Sequence, residues 1–261
     1  MKKRYFLTLS TLLLSTVLQA LPVSEIIKKA NHNAYYNGQD GKAQVNMSIV
    51  DKQDRQRNRQ FVILRKDIDD KTDGTQYFYV YFKRPSDVRK TAFLVWKHID
   101  KDDDRWLYLP ALDLVKRIAA SDKRTSFVGS HFYYEDVSGR NPSDDTHELI
   151  ETTDQYYVIK STPKDSASVD FSYYKSWIHK QTFLPVKTDY YDQKDTVYRQ
   201  YQALKVESVQ GFPTVTESKM SDKRLGGHTL LTYSKVDYNV GLEKSLFTER
   251  YLRNAPRKEL Q

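Results

Sequence analysis

The stretch QYFYVYFK, residues 76–83, is dense in aromatic residues and carries no turn former. Side chains alternate across an extended chain, so Tyr77, Tyr79 and Tyr81 point to one face while Phe78, Val80 and Phe82 point to the other. A run so rich in aromatic residues, with neither Gly nor Pro, reads as strand. Neither face is fully polar. A sheet with water on one side would carry polar residues there, so something must cover both faces of this strand. The simplest architectures are a barrel or a strongly curved sheet whose concave face is plugged by helices.

The same period of two extends outward in both directions. Before and just after the stretch it marks residues 43–50, 59–66, 93–99, 105–109 and 114–118. Further on it marks 148–153, 156–162, 169–178, 185–191, 196–206, 213–219 and 228–237. Charged or Gly-containing turns separate the runs at 67–74, 100–104, 164–168, 192–195 and 222–227. The loop 138–145, with Gly139 and Pro142, reads as an excursion within one sheet, so residues 21–261 are expected to form a single domain.

Helical spacing occurs near the two ends. Val23, Ile26, Ile27, Ala30 and Ala34 share one face with Lys28, Lys29 and Asn31 opposite, which predicts an amphipathic helix closing near Asn37 and Gly38. It is the obvious plug. Leu242, Leu246, Phe247 and Tyr251 predict a shorter helical piece at the other end.

Residues 1–20 read as a secretory signal peptide, with Lys2, Lys3 and Arg4 ahead of an apolar run that ends at Leu18-Gln-Ala20. That run is shorter than the ~20 residues of a membrane span. Leu21, not Cys, follows the expected cleavage site, so no lipid anchor is expected there. The chain has no cysteine, and its stability must come from a core. The formal charge of +8 includes the three cations of residues 2–4, and the remainder interleaves with acidic residues, which argues against a nucleic-acid partner.

No catalytic or metal-binding pattern stands out. Gly129-Ser130-His131 lacks the glycine two residues after the serine that a nucleophile elbow needs. His32, His98, His131, His147, His179 and His228 are scattered over different expected elements, without zinc-ligand spacing. In Asp67-Ile-Asp-Asp-Lys-Thr-Asp-Gly74, Lys71 stands at a calcium-ligand position and Gly74 is displaced from the sharp turn, so a solvated hairpin turn is expected. No enzyme, cofactor or metal site is expected.

Residues 105–136 carry a different kind of signal. Arg105-Trp-Leu-Tyr-Leu-Pro-Ala111, Val115-Lys-Arg-Ile118, Phe127-Val-Gly-Ser130, Phe132 and Tyr134-Glu-Asp136 together resemble the hallmark of the LolA-like family of outer-membrane lipoprotein-sorting proteins. Phe82-Lys-Arg-Pro85, Leu184-Pro185-Val186 and Phe247-Thr248 fit the same family, while His131 stands where it commonly has Asp. The resemblance implies an α+β, mainly β fold: an incomplete, strongly curved antiparallel β-barrel, or half-barrel, with helices covering the concave face around an apolar cavity. It also implies a periplasmic carrier or chaperone that takes lipid or lipoprotein acyl chains towards the outer membrane, in a branch associated with RND-superfamily transporters of the inner membrane. The alternative is an accessory protein that docks on an RND-type exporter or envelope complex. Transient membrane contact fits either.

Candidate cavity or lid residues are Phe78, Val80, Phe82, Trp96, Trp106, Tyr108, Phe132 and Tyr134. Arg105, Lys116 and Arg117 are candidates for a polar rim or a partner contact. In 105–109, Trp106 and Tyr108 share one face and Arg105, Leu107 and Leu109 the other. A single choice of register decides which set meets the cavity, and packing of both sets into core is the plainer reading of the pattern.

Overall fold

The structure of the protein, a computed structural model, describes residues 21–69 and 73–261; the expected signal peptide, 1–20, lies outside the described residues. Strands β1 (Asp40–Val50), β2 (Gln56–Asp67), β3 (Gln76–Arg84), β4 (Ala92–Lys97), β5 (Asp104–Leu109) and β6 (Leu114–Ile118) form an antiparallel meander. A second meander comprises β7 (Asp145–Thr152), β8 (Tyr156–Pro163), β9 (Tyr173–His179), β10 (Pro185–Tyr191), β11 (Val197–Val209), β12 (Phe212–Asp222) and β13 (His228–Tyr238). Pairing of β1 with β13 joins them into one antiparallel sheet of 13 strands, each overlapping one of the expected runs. The sheet is not closed into a barrel: β6 and β7 are its edges. Strand β7 begins earlier than the alternation suggests because its ladder with β8 continues to Asp145 opposite Pro163.

Helix α1 (Val23–Tyr35) follows Pro22, whose fixed φ suits a helix start, and carries Glu25 in its first turn. It buries Ile26 and Ala30 against Ile159 of β8 and Ile178 of β9. At its other end the Asn37 amide donates to the Asn33 carbonyl at 2.9 Å, satisfying a last-turn acceptor, and Gly38 leaves the helix with φ +67°.

Both faces of β3 are covered, as its composition requires. Phe78, Val80 and Phe82 pack with Val45, Phe93 and Leu107 beneath Phe127, Phe132 and Tyr134. Tyr79 lies on the other face with Leu64, Leu94 and Trp106, beneath Leu242, Leu246, Phe247 and Leu252 of the C-terminal segment. Phe78 and Phe82 are 3% and 0% exposed, Tyr79 and Val80 both 0%. Burial on this scale contributes roughly 1.5–3 kcal/mol per large side chain. The C-terminal segment reaches its face because the buried Asp40 carboxylate accepts backbone N–H bonds from Val240, Gly241 and Leu242 at 2.7, 3.2 and 2.7 Å. Its regular part is a 3-10 turn at Lys244–Leu246 and a short α3 (Arg250–Arg253).

Residues 119–144 connect the two sheet edges and include α2 (Tyr134–Ser138). They bond to interior strands on the way. His131 meets Thr229 of β13, and the Arg199 guanidinium of β11 donates to the His131 carbonyl at 3.1 Å. The connection therefore lies against the sheet, on the same face as Phe78 and Val80.

Candidate ligand cavity

Between that connection, the end of α1 and the sheet lies a cavity of about 350 Å³. One wall is apolar, with Met47, Phe61, Phe78, Val80, Phe127 and Phe132. The facing wall, from β10 to β13, carries Tyr190, Tyr201, Ser218 and Tyr233. Tyr35 of α1 and Asp136 and Val137 of α2 complete it, and it reaches the surface beside the exposed Asp237.

Strand alternation sorts the candidate residues. Phe78, Val80 and Phe132 line the cavity. Phe82 and Tyr134 belong to the solid cluster next to it, where Phe127 packs tilted against Phe82 and edge-on against Tyr134, at 5.9 and 5.6 Å between ring centroids. Trp96, Trp106 and Tyr108 stand on the opposite face. The register pairs Leu94 with Trp106 and Ala92 with Tyr108, so these rings follow Leu94 away from the cavity and meet the C-terminal segment. The tryptophans and Phe78 therefore do not share one site. Arg105 is no rim residue: it is 3% exposed and donates to Asp103 at 2.6 Å. Lys116 and Arg117 are exposed on the edge strand, with Arg117 paired to Asp104.

What the alternation could not reveal is the ionic network that fastens α2 to the sheet. Arg199, 0% exposed, donates to Asp136 and lies over the Tyr133 ring at 3.9 Å. Burial alone would raise the Glu135 carboxyl, but Arg124, Arg140 and Lys123 hold it below the usual carboxylate range. Arg124 donates to Glu135 at 2.7 Å, and Arg140 to Asp145 of β7 at 2.8 Å. Arg199 and Asp136 are 63 positions apart, a separation that leaves no pattern in the sequence.

His131 has a positional part. Its Nε2–H donates to the Gly226 carbonyl at 3.0 Å, which leaves Nδ1 to accept from the Thr229 hydroxyl at 2.8 Å. Gly139 matters for space. It has φ +77°, and a Cβ there would lie 2.4 Å from Tyr35 Cζ, so only glycine lets this ring reach the cavity beneath the end of α2. Lys97 closes the same corner: its ammonium donates to the Ser138 carbonyl at 2.7 Å and sits 5.0 Å from the Tyr35 ring centroid. Burial lowers its pKa to about 8.

A second depression, about 320 Å³, is lined by charged groups including Lys97, Asp103, Arg105, Glu135 and Arg140, and offers no apolar wall. Among the described residues no group of three or more His, Cys, Asp or Glu side chains could hold a metal ion. In the turn that resembles a calcium loop, Asp67 bonds Arg65 and Gln76 at 2.8 and 2.7 Å, and Asp73 bonds His32 at 2.7 Å. No described helix is long and apolar enough to cross a membrane.

Residues 74–254 match a family model described as that of an uncharacterized protein. No curated protein matches. Among solved structures the chain is similar to a DUF1329 family protein from Desulfovibrio piger, at 30% identity and TM-score 0.79, over 88% of this chain and 99% of that one. It is similar to a protein from Vibrio parahaemolyticus described as an outer membrane lipoprotein-sorting protein domain, at 26% identity and TM-score 0.78, over 88% and 97% of the two chains. A LolA superfamily protein from Nitrosomonas europaea shares the fold at 20% identity and TM-score 0.68, over 89% of this chain and 100% of that one.

Proposed function

The chain belongs to the DUF1329 family, and from that premise we propose that it is a non-enzymatic periplasmic carrier that holds a lipid or lipoprotein acyl chain in its cavity and moves it towards the outer membrane. The observation that supports this most directly is the cavity with its apolar wall. At roughly 30 Å³ per small group, the volume of one liquid water, about 350 Å³ takes on the order of a dozen methylenes. Each buried methylene contributes about 0.8 kcal/mol gross, so the whole chain offers on the order of ten before ordering costs. No reaction is needed for such binding. The description of the Vibrio relative as a lipoprotein-sorting domain points the same way.

In this reading residues 21–261 are one domain, the sheet curves into a half-barrel, and α1 and α2 cover its concave face. Cargo leaves when these helices move. An RND-superfamily transporter of the inner membrane supplies the cargo or receives the empty carrier.

The test is native mass spectrometry of the mature protein from its own periplasm, followed by organic extraction. A lipid adduct lost on extraction, and absent from a control protein of the same host, is expected. Val80→Trp narrows the cavity from the apolar wall and Val236→Trp from the partly exposed side. Either variant, folded by circular dichroism, should lose the adduct; full retention in both would sink the carrier reading. Protein that never carries lipid yet captures membrane partners on crosslinking would instead indicate an accessory docking protein.

A further inference from the structure

The carrier reading leaves open what kind of group the bound chain bears, and the polar wall of the cavity speaks to that. Tyr35, Tyr190, Tyr201 and Tyr233 come from α1, β10, β11 and β13, yet all line the same space. They also lie within electrostatic reach of one another: Tyr190, Tyr201 and Tyr233 all act on Tyr35, and Tyr233 and Tyr190 on Tyr201. The Tyr201 hydroxyl lies next to Ser218. Among the described residues, the hydroxyls of Tyr35, Tyr190 and Tyr233 have no hydrogen-bond partner in the protein. Outside the cavity, Tyr79 donates to the Tyr251 carbonyl and Tyr174 to Asp145, both at 2.7 Å. The hydroxyls of Tyr35, Tyr190 and Tyr233 line an open space and are not packed against protein, and a group of them around one cavity suits a ligand that accepts their hydrogen bonds.

The charges around the hydroxyls narrow the ligand further. Burial pushes Tyr190 and Tyr233 up to about 12, and it raises Tyr35 and Tyr201 too, so all four are neutral donors at physiological pH. Asp136 brings a carboxylate to this wall, and Arg199 is committed to it. The remaining cations of the lining, Arg65 and Lys42, are also kept from the hydroxyls. Arg65 serves Asp67 and the carbonyls of Tyr35, Asn37 and Gly38, and Lys42 stands opposite Leu64 in the ladder, so its side chain follows Leu64 to the other face of the sheet. An anion placed among the hydroxyls would meet a carboxylate and no free cation.

We propose that the tyrosine wall selects a neutral hydrogen-bonding group, such as the ester or amide of an acylated molecule, and discriminates against a free carboxylate or phosphate at the same place. This rests on the carrier reading and adds the chemical class of its cargo. The tyrosine hydroxyls donate to the ester or amide carbonyl, and the chain beyond it lies against Met47, Phe61 and Phe78.

The mature protein is loaded with the neutral fluorophore N-phenyl-1-naphthylamine, and dodecane, methyl laurate and laurate are compared as competitors at neutral pH. Methyl laurate is expected to displace the probe at a concentration at least about tenfold below that of laurate. Tyr201→Phe and Tyr233→Phe keep the rings; each should weaken methyl laurate about three- to tenfold and leave dodecane and laurate unchanged. Monolaurin and a synthetic triacylated lipopeptide separate a free lipid from a protein-borne chain as the source, because the true source shows the same dependence on the tyrosines. If laurate competes as well as methyl laurate, or both Phe variants bind the ester unchanged, the selectivity is overturned while the carrier reading stands. If neither the probe nor any competitor binds, both fall.

Discussion

The two faces of β3 begin from nearly the same material and end differently. On the face of Tyr79 the C-terminal segment closes a solid layer, and even the polar atoms are matched: the Tyr79 hydroxyl donates to the Tyr251 carbonyl and the Trp96 indole N–H to the Phe247 carbonyl, both at 2.7 Å. On the face of Phe78 and Val80, the 119–144 connection packs tightly at Phe127 and Tyr134 but leaves a cavity beside them. Three tyrosine hydroxyls there have no partner among the described residues. An apolar strand face asks only to be covered. Whether the cover fills the space is decided by a segment far away in sequence.

The sharpest way to break this contrast is to delete a large side chain from the solid face. Phe247→Ala, at a residue 0% exposed, should cost about 3–5 kcal/mol in urea unfolding and leave displacement of a cavity probe unchanged. Coupled loss of probe binding in the folded variant would show that the two faces are not independent. Met220→Ala, on the cavity side, should cost about 2 kcal/mol, the low end for such truncations, because space next to it already exists, and should shift probe affinity as well.

A gentler probe is pH. Folded Lys97 has a pKa of about 8 where an unburied lysine has 10.5, because burial disfavours the charged form. Between these values the unfolded chain holds more protons, so this residue makes stability rise with pH across that window. The cavity tyrosines act in the opposite sense above pH ~10, where they ionise only when unfolded. Lys97→Met should flatten the rise and keep the fall in a pH series of urea midpoints; an unaltered rise would assign it to other groups. The smallest effect is expected at the sheet edge. Arg117→Ala removes a surface pair and should cost less than about 1 kcal/mol. Arg105→Ala leaves Asp103 beside a buried site and should cost several times more, which separates two residues that look alike in sequence.

Much of the fold was legible in the alternation. Period two located every strand, and the helical spacing of Val23 to Ala34 located α1, because these patterns are local consequences of backbone geometry. The cavity was only partly legible. Phe78 and Val80 share a face by parity alone, but Trp96, Trp106 and Tyr108 were indistinguishable from cavity residues until pairing of Leu94 with Trp106 set their side. The tyrosine wall gave no signal, since Tyr190, Tyr201 and Tyr233 look like ordinary strand residues and Tyr35 like a helix end.

Readable from the residues alone are the many short strands, the burial of β3 on both faces, and the lack of any cysteine or evident catalytic motif. These follow from periodicity and composition, which act between near neighbours. Pairing of β1 with β13, the run of the 119–144 connection from edge to edge across one face, and the hold of Arg199 on Asp136 arise only when the chain folds. Such contacts join residues tens to hundreds of positions apart. Their energies depend on distance and exclusion of water, and neither quantity exists until the chain has closed on itself.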